Sequence, residues 1–241
     1  MSTPIMSHLV LGYPSLSESI QTAETYIAAG CAILELQIPF SHPTADGPVI
    51  TQACREAVEK NNISVDDCLG ALADIRTRFP QQEIIVMSYL NRVFTYGLSN
   101  FCQQLSGLDI RHLIVPDLPV DSPQAITIHD NGITLVPVLA ANVSTERLKK
   151  LLARDFDFYY LMSDFKITGS TFSLHPRLEA VIHQIRSAKP AARIGIGFGI
   201  STKEHVQLVT STVDYAIIGS TFIKAKMEGN LAQVIGALTA A

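Results

Sequence analysis

Short apolar runs alternate with longer amphipathic stretches along the whole chain. Eight of the runs read as strands, at residues 8–12, 32–38, 84–90, 112–117, 134–140, 158–163, 194–199 and 215–220. They are nearly continuous in Ile, Val and Leu, which suits parallel strands covered on both faces better than strands with a wet side. The stretches between them carry helical signals. Ser15-Leu-Ser-Glu18 predicts a capped helix start, followed by Ile20, Ala23 and Ile27 on one face and by Gly30 as a stop. Ser201-Thr-Lys-Glu204 predicts a second capped start, and Leu148, Leu151 and Leu152 form an apolar stripe ahead of the sixth strand. No linker, low-complexity tract or charge block interrupts the series. The expected fold is α/β, a closed (β/α)8 TIM barrel forming one domain over residues 1–241. An open doubly wound sheet is the alternative, but eight near-equal units favour closure.

Composition agrees with that fold and narrows the partners. The chain has 241 residues, close to the ~250 usual for such a barrel. Hydrophobic residues make up 47% and charged residues 17%, enough apolar material for a large core and too little charge for a disordered chain. The net charge is −4, and Lys149-Lys150 is the longest basic cluster, so nucleic acid is not an expected partner. The four cysteines, at 31, 54, 68 and 102, show no CxxC pair and no zinc spacing. They read as reduced core residues of a cytoplasmic protein, and no metal site is expected. No basic segment leads into a long apolar one at the start of the sequence, so no signal peptide is expected. No run reaches the ~18 apolar residues that would suggest a membrane span.

A barrel of this kind builds its site at the C-terminal ends of its strands, and phosphate usually sits after strands seven and eight. The seventh strand runs into Gly197-Phe-Gly-Ile-Ser201 and the eighth into Gly219-Ser-Thr221. Glycines there let backbone N–H groups approach an anion, and the following helix adds its positive dipole end. Ser220 can add a hydroxyl. The second strand reads Ala32-Ile-Leu-Glu-Leu-Gln-Ile38, which places Glu35 in an apolar strand. If Glu35 points inward, loss of solvation should raise its pKa into the range useful for acid–base work. The expected strands contain no Lys or Arg to pair with it. Asp46 lies in Ala-Asp-Gly-Pro, a turn sequence, and by itself reads as a turn former as readily as a catalyst. Two carboxylates at one barrel mouth can divide acid and base roles where their surroundings differ.

Glu35-Leu-Gln-Ile-Pro-Phe-Ser-His-Pro-Thr-Ala-Asp-Gly-Pro48 closely resembles the signature of the tryptophan synthase alpha subunit family. The resemblance continues in order through Leu11-Gly-Tyr-Pro14, Ser88-Tyr-Leu-Asn-Arg-Val-Phe94, Ile114-Val-Pro-Asp-Leu-Pro119, Phe158-Tyr-Tyr-Leu-Met-Ser163, Ile167-Thr-Gly169, Gly197-Phe-Gly-Ile-Ser201 and Ile218-Gly-Ser220. It thus covers nearly the whole chain. It implies a barrel lyase of tryptophan biosynthesis that cleaves indole-3-glycerol phosphate to indole and glyceraldehyde 3-phosphate, without metal or organic cofactor, beside a beta subunit. By the same resemblance Glu35 is the acid–base residue, and Asp46 the carboxylate that binds the indole N–H. Tyr160 lines the site, and Thr168 belongs to a lid that closes over Asp46. Gly169, Gly199, Gly219 and Ser220 contact phosphate, with Phe198 beside them.

The departures from the family pattern are concentrated. Only residues 1–7 precede the first expected strand, where the family usually has a helix. Gln37 stands in place of a glycine, so a side chain there must find room and a hydrogen-bond partner. His42 stands in place of an aspartate. In the lid, Asp164 replaces an arginine and Lys166 a glycine, changing its charge and stiffening it. Asp121-Ser replaces an acidic pair after strand four. These changes fall mainly on the second and sixth loops, which in the family face the partner and gate the site. Two alternatives to the coupled enzyme therefore stand beside it: a stand-alone indole-releasing lyase, and a catalytically impaired barrel that binds a phosphorylated ligand or activates a beta subunit.

Overall fold

The computed structural model describes residues 3–163, 165–168 and 171–239, with 165–168 and 171–172 as backbone only. Its strands are β1 (Thr3–Val10), β2 (Cys31–Gln37), β3 (Glu83–Met87), β4 (His112–Ile114), β5 (Thr134–Leu135), β6 (Val138–Ala140), β7 (Phe158–Met162), β8 (Phe165–Thr168), β9 (Thr171–Leu174), β10 (Arg193–Gly197) and β11 (Tyr215–Ile218). Nine of them form one parallel sheet in the order β5-β4-β3-β2-β1-β11-β10-β7-β6, and β8 and β9 pair apart as an antiparallel hairpin.

The sheet closes on itself at residues 134–140. β5 pairs with β4, and β6 pairs with β7. Between them Val136 N–H donates to the Leu113 carbonyl at 2.9 Å, and the Pro137 carbonyl accepts from Tyr160 N–H at 3.0 Å. One chain segment thus passes its pairing from β4 to β7, which makes the closed barrel. The expected single strand over 134–140 is interrupted because Pro137 has no N–H for a ladder. The other expected strands are found with shifted ends. The largest shift is at β1, which begins at Thr3, five residues before the expected start. Residues 3–7 are therefore wall of the barrel, and Ile5 and Met6 in it are completely buried.

Side chains alternate between two apolar layers, as strand geometry requires. Leu34 and Leu36 of β2 pack outward among the helices, whereas Ile33 packs inward with Met6, Ile85, Phe158, Tyr160 and Ile217. Each fully buried Ile or Leu of these layers contributes about 1.5–3 kcal/mol. The same alternation puts Glu35 and Gln37 on the inner face with Ile33, at the C-terminal end of β2.

The helix starts follow local sequence rules. Ser15 caps the helix Leu16–Ala28 by accepting from Glu18 N–H, and Gly30 takes φ +80° just past its end. The second start is corrected by one residue. Thr202, not Ser201, accepts from His205 N–H and caps the helix Lys203–Thr210. A full capping box, unforeseen in the sequence reading, joins Ser64 and Asp67 at the start of Val65–Arg78. Ser122, one of the departures after strand four, caps Pro123–Asp130, and its neighbour Asp121 pairs with Arg147 at 2.7 Å. All four cysteines are buried free thiols. No helix is long and apolar enough to cross a membrane, among the described residues.

Candidate active site

A cavity of about 300 Å³ opens at the C-terminal ends of the strands, at the lower end of the range of small-molecule sites. Its lining includes Glu35, Asp46, Tyr160, Phe198, Gly199, Gly219 and Ser220. Seven of the residues singled out in the sequence thus converge on one space. Thr168 ends β8 as backbone, and Gly169 and Asp164 lie outside the described residues.

Glu35 is 3% exposed. Its partner is neither Lys nor Arg but an imidazole: His8 Nδ1 lies 3.3 Å from Glu35 Oε1. Cross-strand register makes this contact, because His8 and Glu35 are paired positions of β1 and β2. As the expected strands imply, no Lys or Arg lines the cavity beside Glu35 among the described residues; its basic partner is a histidine. His8 sits in an apolar run and is neither Lys nor Arg, so it does not stand out as a partner in the sequence. A polar residue in a doubly covered strand was the available signal, the same one that marked Glu35. Burial disfavours a charged His8, but Glu35, then Asp46 and the side chain of Gln37, outweigh it and leave the imidazole pKa raised.

Asp46 is both turn former and site residue. Its N–H donates to the Pro43 carbonyl at 3.1 Å, while its side chain turns into the mouth. Oδ2 accepts from Gln37 Nε2 at 2.8 Å and from the Tyr89 hydroxyl at 2.9 Å. Gln37 is completely buried and so finds the room and the partner that its position demands. Tyr89 also accepts from Ala45 N–H at 3.0 Å, which fixes the loop behind Asp46. Burial raises the Asp46 pKa, and His8, Gln37 and Tyr89 oppose that rise. Tyr89 is a second residue to which the sequence reading gave no role. Its contact with Asp46 spans two strands and a loop, which no local pattern reveals.

The opposite wall holds Tyr160 and Phe198, edge to face with centroids 6.1 Å apart. Burial, Glu35 and Asp46 hold the Tyr160 hydroxyl well above the ordinary tyrosine pKa, so it remains a neutral donor. Gly197 exists to admit that ring: a Cβ there would lie 2.7 Å from Tyr160 Cζ. Phe198 takes φ +73° and Gly199 φ +77°, so the turn after β10 bends through left-handed backbone. The Thr221 hydroxyl donates to the Ile200 carbonyl at 2.7 Å and ties this turn to the one after β11. Gly219 precedes the helix Ser220–Met227, whose first turn has no side-chain cap. That leaves backbone N–H groups and a positive helix end facing the cavity, the usual equipment for a phosphate.

The site is polar at a cost to stability. His8 Nε2, Glu35 Oε2 and Gln37 Oε1 are buried with no hydrogen-bond partner among the described residues. Each such atom costs about 1–3 kcal/mol in a folded chain, so their gathering at one mouth argues for a ligand rather than for packing.

Comparison with known proteins agrees with this geometry. The family model described as tryptophan synthase alpha chain matches residues 2–238. The tryptophan synthase alpha chain of Acaryochloris marina is 32% identical over 240 residues, covering 98% of this chain and 88% of that one. That of Desulfotalea psychrophila is 33% identical over 222 residues, covering 91% and 86%. The crystal structure of tryptophan synthase subunit alpha from Legionella pneumophila superposes with a TM-score of 0.82 at 26% identity, covering 99% of this chain and 89% of the other. With this match running through both halves of the barrel and through the residues of its mouth, the chain belongs to the tryptophan synthase alpha chain family.

Proposed function

We propose that this chain, as a single barrel, cleaves indole-3-glycerol phosphate to indole and glyceraldehyde 3-phosphate in tryptophan biosynthesis, with Glu35 and Asp46 as its acid–base pair. The observation that carries the reading is the joint placement of both carboxyls, an aromatic wall and two glycine turns around one cavity. Retro-aldol cleavage needs a proton at indole C3. The C–C bond then breaks toward the ring, and the glycerol hydroxyl loses its proton to become the aldehyde. Glu35 has one oxygen engaged by His8 and the other unpartnered. That free Oε2 can give the proton to C3 and take up the one from the hydroxyl. Asp46 has Oδ2 engaged by Gln37 and Tyr89, which leaves Oδ1 for the indole N–H and for the positive charge that develops on the protonated ring. Tyr160 and Phe198 flank the ring system, and the N–H groups around Gly199, Gly219 and Ser220 bind the phosphate. Thr168 and Gly169 fall to the lid by family resemblance alone.

A beta subunit is the partner that the family implies, and the exposed loop bearing His42 is one of the two altered loops that in the family face it or gate the site. The test is indole release from indole-3-glycerol phosphate by the purified chain, with and without a beta subunit. Glu35→Gln is expected to lower that release by about 10²–10⁴-fold. Turnover at the wild-type rate in this variant would remove Glu35 from the mechanism.

A further inference from the structure

The lyase reading uses two carboxyls and leaves two buried polar side chains between them unused. His8 joins Glu35 through Nδ1 at 3.3 Å. Gln37 donates to Asp46 Oδ2 at 2.8 Å, while its Oε1 and His8 Nε2 are both buried without a hydrogen-bond partner among the described residues. His8 with Glu35, and Gln37 and Tyr89 with Asp46, therefore gather at the mouth as two polar groups inside an apolar barrel. Nothing in apolar packing asks for them, because Met6, Ile33 and Ile85 fill the same inner layer directly below. The backbone holds His8 in place from both sides: Tyr26 on the outer layer donates to the His8 carbonyl at 3.3 Å. Toward the phosphate turn, a Cβ added at Gly219 would meet His8 Cδ2 at an ordinary contact distance of 3.5 Å.

We propose that His8 is a positioning residue that shares the working proton of Glu35, while Gln37 holds Asp46 beside that pair. The proposal rests on the reading of Glu35 as the acid–base residue. The pair begins each turnover holding one proton. Glu35 gives it from Oε2 to indole C3, the C–C bond breaks, and the hydroxyl proton returns to Oε2. Across the Oε1 to Nδ1 contact the proton can rest on either partner, so the pair ends as it began.

The groups that face His8 fit this role. Glu35 and Gln37 approach from β2, Asp46 from the following loop and the neutral phenol of Tyr160 from β7. His8 is the one basic side chain in the cavity lining, among the described residues. It offsets two carboxyls in a site that must also accept a phosphate dianion.

A pH profile separates proton sharing from mere packing. Two sites hold one proton at least as tightly as either alone, so the alkaline limb of kcat/KM belongs to the pair. His8→Asn keeps a donor toward Glu35 but has nowhere to hold a proton. His8→Phe keeps the bulk of the ring and serves if the Asn variant fails to fold. In both, the alkaline limb is expected to move to lower pH. The expected fall in kcat is about 10- to 100-fold, the usual effect of removing a group that orients a working side chain, with KM little changed. Gln37→Met, which removes a donor to Asp46, is expected to lower kcat as well. An alkaline limb that stays at the wild-type pH in both His8 variants, with Glu35→Gln inactive, would overturn the sharing and leave the lyase reading intact. Full activity in Glu35→Gln would instead remove the reading on which it rests.

Discussion

Replacing Tyr89 by Phe removes one oxygen atom and tests whether Asp46 is held in place by the protein rather than by solvent. The ring is completely buried and packs 5.6 Å from Phe40, so the Phe ring fills the same volume. Two hydrogen bonds are lost, from Ala45 N–H and to Asp46 Oδ2. A bond to a charged group contributes about 1.5–3 kcal/mol and a neutral one about 0.5–1.5 kcal/mol. Gln37 remains on the same Asp46 oxygen, and the half-buried Ala45 amide can turn to water. The expected loss at pH 7 is therefore about 2–3 kcal/mol, or roughly 4–12 °C in Tm for a chain of this length. The pH dependence has a fixed sign. Burial already raises the folded-state pKa of Asp46. Its contribution to stability is thus greatest in acid and falls as pH rises through that value. Without the Tyr89 donor the folded-state pKa rises further, so the cost of the substitution grows with pH. At pH 3, below the ~3.9 of an ordinary aspartate, a carboxyl with a raised pKa is protonated in the fold, and the loss should shrink to about 1 kcal/mol. Urea unfolding of both proteins at the two pH values measures it. An equal loss at both, or one below about 0.5 kcal/mol at pH 7, would refute the idea that Tyr89 holds Asp46 as a carboxylate.

Gly197→Ala sets a Cβ against the Tyr160 ring, at 2.7 Å from Cζ. The ring must move into the cavity, so stability should fall by about 1–3 kcal/mol and KM should rise; an unchanged KM would mean that Tyr160 does not shape the substrate space. Arg193→Met acts at the other end of the barrel, where Arg193 Nη1 holds both oxygens of Glu83 at 2.6 and 2.8 Å and the guanidinium lies over Phe158. Unfolding measurements should show a loss of about 1–2 kcal/mol with kcat unchanged, since the N-terminal ends of barrel strands serve stability. A reduced kcat in the folded variant would contradict that division.

What could be read from the chain was what repeats along it. The eight apolar runs are long enough, and rich enough in β-branched residues, to name the barrel before any contact is known. Ser15 and Gly30 mark a helix because caps act within one turn. Local rules also set the size of the errors. Ser201 and Thr202 are both acceptable caps, and only the placement of His205 N–H settles the choice. Pro137 announces a gap in a ladder, but not that the barrel would use the gap to change partners. The site divides in the same way. Glu35 stands out because a carboxyl in an apolar strand needs a reason, and the glycines after β10 and β11 stand out because a strand tip needs a tight turn. Asp46 does not, because its role depends on Tyr89 and Gln37, which reach it from two strands.

Gln37 shows why a departure from a family pattern cannot be weighed by position alone. A side chain where relatives carry glycine reads in one dimension as a threat to packing. In three dimensions it holds Asp46 Oδ2 at 2.8 Å, at the same mouth as His8, a residue hidden in an apolar run. Register is what links them, since His8 is paired with Glu35 across β1 and β2 and Gln37 follows two residues on, on the same face. Two buried polar residues on neighbouring strands, each in contact with one of the two carboxyls, are thus a stronger pointer to acid–base chemistry than the lid's sequence.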